Sequence, residues 1–328
     1  MRIAVVGCGT VGMRTARQLL SVEGVDDLVL FDLDDPAAAR LHGVIGERSS
    51  VGAGPPLGCH PDVLVMAQPR GHVELAESAI RSGVHVVSTS DAVDDAEGLI
   101  GLDDVARDAG LYLAVGAGFA PGLSDVLVRH AAAEFDTVDE IHVAKLGTAG
   151  PACARQHHSA LSGEAIDWKD GAFVRRQGGS GRELCWFPDP IGGADCYRAA
   201  LSDAIILHEG FPDASRITAR VAATRRDRLT AWLPMMRQPH AEAGPGAVRV
   251  EVRGRKDAMA GVVVMACMDR PSVAAGAVVA QVVAGIVTGT LRRPGAAGLA
   301  DLVEPVAFLR ELAVRGVKCA RFEGSNER

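Results

Sequence analysis

A glycine-rich turn between a short apolar segment and an amphipathic segment constrains the fold of this chain more than any other feature. The residues Gly7-Cys8-Gly9-Thr10-Val11-Gly12 fit the pattern G-x-G-x-x-G, directly after the apolar segment 2–6 and at the start of a predicted helix, 10–20. Asp32 follows the next apolar segment, 28–31, and lies 20 residues after Gly12. A strand, a glycine turn, a helix, a strand and an acid in this order predict a parallel α/β domain that binds a dinucleotide.

The three glycines of this turn are expected to have different tasks. Gly7 permits the tight turn, Gly9 lets the backbone approach a pyrophosphate, and Gly12 lets the helix pack closely on the strand. The N–H groups at the start of the helix, around Thr10 and Val11, have no partners within the helix and stabilise a phosphate charge. We therefore predict that the turn is a pyrophosphate site.

Asp32 indicates which dinucleotide binds. Its carboxylate is expected to accept hydrogen bonds from the hydroxyls of the adenosine ribose and to repel a 2′-phosphate. No arginine follows it directly, because the next residues are Leu33, Asp34 and Asp35. NAD is therefore the predicted cofactor, and NADP stays an alternative.

The rest of the first third alternates apolar and amphipathic segments. Strands are predicted at 62–66, 84–87 and 111–115, helices at about 71–82 and 94–109, and a poorly marked strand between 44 and 59. Continuous apolar strands separated by helices indicate a doubly wound parallel sheet, the Rossmann architecture. Ligands lie beyond the carboxyl ends of such strands, so residues that follow them are expected to line the cleft: Ala67, Gln68, Ser88, Thr89 and Gly118.

The pattern changes after about residue 135. The segments 138–146, 217–224, 247–253 and 261–267 alternate or run apolar without obligatory helices between them, which points to a mixed or antiparallel sheet. The predicted fold class is α/β, with an N-terminal Rossmann domain and a second α+β domain. We place the dinucleotide-binding domain at 1–130, completed by about 291–328. Residues 131–290 are assigned to substrate binding and to a homodimer contact, because an open sheet face needs a cover.

Composition excludes several classes of function. The 328 residues include 34 Lys and Arg against 41 Asp and Glu, and a net charge of −7 argues against nucleic acid as a partner. The seven cysteines have no C-x-x-C spacing, so we expect no metal site, and their odd number without a secretory signal suggests a cytoplasmic protein. The uncharged segment 271–291 is long enough to cross a membrane, but its Ala and Gly content predicts a buried helix.

Several segments resemble the saccharopine dehydrogenase-like oxidoreductases, a family that includes saccharopine reductases and lysine 6-dehydrogenase. They are DVLVMAQPR, SGVHVVSTSD, PGAAGLADLVEP and above all VGAGFAPGLSDVL. Within the last, the run from Gly118 to Leu123 is the most specific element. In relatives this loop approaches the nicotinamide, so the resemblance places Phe119, Pro121 and Gly122 at the cofactor.

The resemblance implies an NAD(P)-dependent dehydrogenase or reductase of amino-acid metabolism. Hydride transfer would occur at an amine or imine carbon of an amino acid or an amino-acid-derived small molecule. Two alternatives stay open. One is a homoserine- or semialdehyde-type dehydrogenase that acts on a C–O bond, and the other is a non-catalytic NAD-binding protein.

Three residues are candidates for proton transfer. Strand alternation places Lys145 on the same face as Ile141 and Val143, where its ammonium could be a base with a lowered pKa or a carboxylate ligand; the alternative is a lysine at the sheet rim. His157 and His158 follow a turn rich in Gly and Pro and are candidate proton shuttles or substrate ligands, against an exposed loop pair. The aromatic segment WFPDPIGGADCY is expected to form a loop wall of the substrate pocket.

Overall fold

The first part of the chain alternates strands and helices. The structure is a computed structural model that describes residues 1–235, 239 and 244–322. In chain order these elements are β1 (Arg2–Val6), α1 (Thr10–Leu19), β2 (Asp27–Phe31), α2 (Asp35–Ile45), β3 (Ser49–Val51), a 3-10 helix (Pro56–Cys59), β4 (Val63–Met66), α3 (Val73–Arg81), β5 (His85–Ser88), α4 (Val93–Ile100), α5 (Asp103–Asp108), β6 (Tyr112–Ala114) and α6 (Leu123–Ala132). The single helix predicted over 94–109 is wrong. It is interrupted by a turn at Gly101 and Leu102, where glycine disfavours helical backbone.

The remaining elements build a second sheet and the return to the first. They are β7 (Thr137–Leu146), α7 (Pro151–Ala160), β8 (Glu164–Lys169), β9 (Ala172–Gln177), β10 (Glu183–Phe187), β11 (Gly192–Tyr197), α8 (Asp203–Gly210), β12 (Arg216–Ala222), α9 (Arg225–Thr230), β13 (Gly246–Lys256), β14 (Met259–Asp269), α10 (Pro271–Thr288), β15 (Gly295–Ala297), α11 (Leu299–Leu302), α12 (Pro305–Val314) and β16 (Cys319–Phe322). The expected pocket loop WFPDPIGGADCY is instead an antiparallel hairpin of β10 and β11, with Cys185 opposite Ala194.

The first sheet has seven strands in the order β15-β6-β5-β4-β1-β2-β3, and every paired strand is parallel. The predicted doubly wound sheet is thereby confirmed. Its central strands are apolar and fully buried, as Ile3, Leu64 and Val86 show. Because the carboxyl ends of β1, β4 and β5 are neighbours, the glycine turn, Gln68 and Thr89 meet at one edge of the sheet.

The second sheet has nine strands, and seven of them follow the order β10-β11-β12-β7-β13-β14-β16. Strands β7 and β12 are parallel and the other pairs are antiparallel, so the predicted mixed sheet is also confirmed. After α10 the chain returns to the first sheet through β15, but β16 pairs with β14 of the second sheet. The predicted domain boundaries and the assignment of 131–290 to substrate binding and dimerisation stay predictions.

Helix α10 connects the two sheets. By length and composition it could span a membrane, with a mean hydropathy of 1.7, but 72% of that window is buried inside the protein. It packs against α1, and a Cβ on Gly276 would lie 2.8 Å from the carbonyl carbon of Arg14. The glycine is therefore needed for the close approach of the two helices, as expected of a packed core helix.

Candidate active site

A cavity of about 900 Å³ opens at the carboxyl ends of β1, β2, β4 and β5. The glycine turn and Asp32 line it on the side of the first sheet. Lys145, at the end of β7, and the segment from Gly147 to His157 line it on the side of the second sheet. One cavity is therefore lined by most of the predicted cofactor residues and by two of the three predicted proton-transfer residues.

The three glycines of the turn have different surroundings. Gly7 has a φ of +95°, and a Cβ on it would lie 2.6 Å from the backbone nitrogen of Gln68. A Cβ on Gly12 would lie 1.7 Å from the carbonyl oxygen of Gly7, so both glycines are needed for packing. A Cβ on Gly9 would meet nothing within 4 Å. Its backbone therefore leaves room for a ligand at the start of α1, where no side chain caps the helix.

Asp32 stands at the end of β2 beside this turn. Its Oδ2 accepts a hydrogen bond from the backbone N–H of Cys8 at 2.5 Å, and its Oδ1 accepts one from the backbone N–H of Asp34 at 2.9 Å. Asp32 lines the cavity, and each of its carboxylate oxygens can accept a further hydrogen bond. Two backbone N–H groups thus hold an acid with capacity for two more donors, the number that a ribose diol offers.

Most other predicted cofactor residues also line the cavity: Thr10, Val11, Ala67, Gln68, Thr89, Gly118, Phe119 and Pro121. The Oε1 atom of Gln68 is buried and has no hydrogen-bond partner among the described residues. A buried acceptor without a partner fits a wall that binds a polar ligand. The glycine turn, the uncapped helix, Asp32 and Gln68 together fit a dinucleotide.

Three predicted cofactor residues lie behind the cavity wall rather than on it. Gly12 packs against Gly7, as described above. The hydroxyl of Ser88 is fully buried and lies 2.8 Å from Nδ1 of His72. Gly122 has a φ of +119°, and a Cβ on it would lie 2.3 Å from the carbonyl oxygen of Gly118. Gly12 therefore has the packing role predicted for it, whereas the direct contact with a cofactor predicted for Ser88 and Gly122 is corrected to a supporting role.

Lys145 is buried, with 3% of its surface exposed, and does not lie at a solvated rim. Its Nζ donates to the carbonyl oxygen of Ala120 at 2.7 Å and lies 3.4 Å from Asp91 and 3.5 Å from Asp203. Burial alone would lower the pKa of Lys145, but the two carboxylates outweigh it and raise that pKa. The predicted base with a lowered pKa is therefore wrong: Lys145 is a cation that holds the loop of Ala120.

Asp91 is the centre of the polar cluster. It accepts hydrogen bonds from Nε2 of Gln156 at 2.6 Å and from Nε2 of His157 at 2.8 Å, in addition to its ion pair with Lys145. Burial would raise the pKa of Asp91, but Lys145 and His157 outweigh it and hold that pKa far below its usual range. Asp91 is therefore an anion that fixes two cations beside the cavity.

His157 lies on α7 with its ring directed at Asp91. Its Nε2 is also 3.7 Å from the Sγ of Cys153. Burial would lower the pKa of His157, but the charges of Cys153 and Asp91 and the hydrogen bond to Asp91 raise it to about 10. The same ring nitrogen contacts both the thiol and the carboxylate, so the three do not form a Cys–His–Asp relay, which uses both nitrogens.

His158 faces away from the cavity. Its Nε2 lies 3.0 Å from the carbonyl oxygen of Thr230 and 3.2 Å from that of Leu233, where it holds the segment after α9 against α7. The prediction that His158 carries catalysis is therefore corrected. The alternative of an exposed loop pair is wrong for both histidines, because α7 includes them and each is only 8% exposed.

Sequence reasoning missed Asp91, Cys153 and Gln156. Asp91 ends the segment SGVHVVSTSD, three residues after β5, so its place beyond a strand end was a usable signal. Cys153 and Gln156 precede His157 by four residues and one residue, and only the assignment of α7 puts Cys153 and His157 on one face.

No family model matches the chain. Among solved structures, saccharopine dehydrogenase (L-Glu forming) from Saccharomyces cerevisiae is similar with a TM-score of 0.69 at 14% identity, covering 98% of this chain and 100% of that one. Amine dehydrogenase from Mycobacterium smegmatis matches with a TM-score of 0.53 at 14% identity, covering 93% and 96%. GenD2 from gentamicin A biosynthesis, in complex with NAD, matches with 0.51 at 18%, covering 99% and 97%. The predicted resemblance is therefore confirmed for the fold: the chain has the fold of NAD(P)-dependent dehydrogenases, similar throughout its length to saccharopine dehydrogenase.

Proposed function

We propose that this protein is an NAD-preferring oxidoreductase that acts at the amine or imine carbon of an amino-acid-derived substrate. The observation that carries the proposal is the single cavity, which is lined both by the glycine turn with Asp32 and by Lys145, Asp91 and His157. Two proteins of similar fold are a saccharopine dehydrogenase and an amine dehydrogenase, which supports a substrate with a C–N bond.

The chain's own residues have defined tasks toward a dinucleotide. The start of α1 would receive the pyrophosphate and Asp32 the adenosine ribose. The loop from Gly118 to Pro121, held by Lys145 through the carbonyl oxygen of Ala120, would hold the nicotinamide end. The bound nicotinamide would supply a hydride acceptor or donor.

The cluster beside the cavity can exchange a proton with an amine. An alkylammonium must lose a proton before its carbon can give up a hydride, so a group of matched pKa is needed nearby. The pKa of His157, raised to about 10, is close to the value of about 10.4 for a lysine ammonium. The imidazolium form of His157 would give a proton to the substrate nitrogen and its neutral form would take one back, so this transfer would be nearly balanced. Because Nε2 is held by Asp91, the exchanging nitrogen would be Nδ1, which is buried and has no hydrogen-bond partner among the described residues. Lys145 stays charged and orients Asp91, which in turn orients His157.

Calorimetric titration of NADH and NADPH, followed by a turnover screen, tests the proposal. We expect micromolar NADH binding in preference to NADPH, and turnover of amino acids or imines rather than of alcohols. Binding of neither nucleotide would refute the proposal. Turnover of alcohols alone would support the alternative that acts on a C–O bond, and selective binding without any turnover would support a non-catalytic protein.

Two adjacent histidines provide a matched pair of variants. His157→Gln is expected to retain NADH affinity and to lower kcat on the order of 10²–10⁴-fold, the usual contribution of a proton-transfer group. His158→Gln should leave kcat within a few-fold of the wild type, because this ring bonds the backbone carbonyl oxygens of Thr230 and Leu233 and does not line the cavity. Equal effects of the two substitutions would remove His157 from the mechanism.

The expected homodimer, the cytoplasmic location and the absence of nucleic-acid and membrane partners stay proposals. Static light scattering at micromolar concentration tests the first, and a monomer there contradicts it.

A further inference from the structure

Two buried carboxyl groups lie outside the cavity lining, and the mechanism above uses neither. Asp203 is in the first turn of α8 and Asp125 in the first turn of α6, and both are 0% exposed. Oδ2 of Asp203 is 3.5 Å from Nζ of Lys145. Asp125 interacts electrostatically with Asp203, so Asp203 stands between a cation and a second buried acid.

The carboxyl oxygens of this pair are short of hydrogen-bond donors. Both oxygens of Asp203 and Oδ2 of Asp125 are buried without a hydrogen-bond partner in the described part of the chain. Oδ1 of Asp125 accepts from the hydroxyl of Ser124 at 3.1 Å. An ionised carboxylate buried with so few partners is strongly unfavourable unless a cation compensates it.

The cations within reach compensate only two carboxylates. Lys145 and His157 are the positive groups of the cluster, and Asp91 pairs with both. Asp203 pairs with Lys145, whereas Asp125 has no ion pair within 4.0 Å among the described residues. With Asp91 and Asp203 ionised and Cys153 as a thiol the cluster is neutral, and a third ionised carboxylate would leave it with a buried net negative charge.

We propose that Asp203 is a positioning residue that holds Lys145 as an ammonium, and that its buried neighbour Asp125 is kept as a neutral carboxylic acid. Lys145 in turn holds Asp91 and the carbonyl oxygen of Ala120 at the cavity wall. The kinetic part of this proposal rests on the proposed function. The protonation of Asp125 does not, because it concerns the folded chain alone.

The charged groups that act on Asp125 oppose its ionisation, whereas hydrogen bonds with Ser124 and the backbone of Gly122 favour it and are outweighed. The charged groups are Asp203 on α8 and Asp301 on α11, which is itself paired with Arg129. The pKa of Asp125 is raised well above its usual value, mainly by burial and next by the charge of Asp203. Toward Lys145 the charged or titratable groups are Asp203, Asp91 and Cys153.

A carboxyl that stays protonated only in the folded state makes unfolding depend on pH. The unfolded chain releases this proton near pH 4, while the folded chain retains it to a higher pH. Between these limits the folded state binds one proton more, so the unfolding equilibrium constant rises tenfold for each pH unit.

Asp125→Asn tests the protonation directly. The amide has the size and the neutrality of the proposed acid, so the variant should fold. Urea unfolding of the full chain at pH 6, 7 and 8 gives the unfolding equilibrium constant. Its logarithm should rise with pH less steeply in the variant than in the wild type, by one unit per pH unit. An unchanged slope would overturn the assignment, whatever substrate the protein uses.

Asp203→Asn tests the positioning. We expect kcat to fall more than tenfold with an unchanged NADH dissociation constant, and the basic limb of the kcat profile to move to lower pH as Lys145 becomes easier to deprotonate. Asp203→Glu, which restores the charge, should return that limb toward the wild-type position. A wild-type profile in Asp203→Asn, or an equal loss of kcat in Asp125→Asn, would overturn the proposal.

A double-mutant cycle covers the case in which Asp203→Asn does not fold. Lys145→Gln with Asp203→Asn removes both charges, so the double variant should be more stable than the sum of the single losses predicts. Additive losses would show that the two groups do not interact. If the pH slope behaves as expected while no amine is turned over, the proposed function fails and the neutral Asp125 stands.

Discussion

Asp91→Asn is the perturbation that examines the polar cluster most directly. The substitution keeps the volume of the side chain and removes its negative charge. That charge accepts hydrogen bonds from Gln156 and His157 and pairs with Lys145. The amide oxygen of Asn can still accept from Gln156. Its NH₂ group would face the donors of His157 and Lys145, so both cations lose their acceptor.

The expected loss of stability is large because all three partners are largely buried. The exposed fractions of the side chains are 16% for Asp91, 10% for His157 and 4% for Lys145. Removing one partner of a buried ion pair costs about 3–5 kcal/mol. We expect a loss of that size in the free energy of unfolding at pH 6.

The pH dependence follows from the two shifted pKa values. The pKa of Asp91 is lowered on folding, so its contribution is present above the unfolded value of about 3.9 and is lost only in acid. The pKa of His157 is raised to about 10, so its contribution is complete below about 6.5 and is lost as the pH rises toward 10. The difference in the free energy of unfolding between wild type and Asp91→Asn, called the stability gap, should therefore narrow from pH 6 to pH 9, by up to about 1.4 kcal/mol per pH unit.

Urea unfolding followed by circular dichroism at pH 6 and pH 9 measures this gap. Asp213→Asn, the same substitution at an exposed loop position, is the matched control and should change stability by less than about 0.5 kcal/mol. A gap below about 1 kcal/mol at pH 6, or one that widens toward pH 9, would refute the assignment of Asp91 as the shared anion.

Three further substitutions test other parts of the site. Lys145→Met should destabilise the protein by about 3–5 kcal/mol in urea, because two buried carboxylates lose their shared cation; a loss under about 1 kcal/mol would contradict this. Gly150→Ala places a Cβ 2.4 Å from Oγ1 of Thr10 and should weaken NADH binding by about 1–3 kcal/mol in calorimetry. Adding Thr10→Gly removes the clashing atoms and should restore NADH affinity. An affinity that stays low would show that this contact does not determine NADH binding. Asp32→Ser should weaken NADH binding and relatively favour NADPH, and an unchanged preference would remove Asp32 from the ribose site.

The glycine turn could be predicted in detail because its requirements are local. The close packing of Gly12 against Gly7 involves residues five positions apart, and the strand and helix that flank them follow from short-range hydrophobic patterns. Asp32 is similarly tied to the turn by the parallel pairing of consecutive strands, β1 and β2. Motif and geometry therefore agree for this part of the site.

The polar cluster could not be predicted because its members come from distant parts of the chain. Asp91 is separated from Lys145 by 54 residues and from His157 by 66. Alternation correctly placed Lys145 on an apolar face. The direction of its pKa shift depends on Asp91 and Asp203, which other elements bring to it.

The sequence by itself determined the first sheet and its edge: the parallel strands, the glycine turn and the acid at the second strand. Only the tertiary structure decided which of two adjacent histidines faces the cavity, since one residue on a helix turns the side chain by about 100°. It also decided that Lys145 is a cation and that Asp91 is its partner. The physical reason is that periodicity and turn chemistry act between near neighbours, whereas the charge of a buried group depends on every element packed around it.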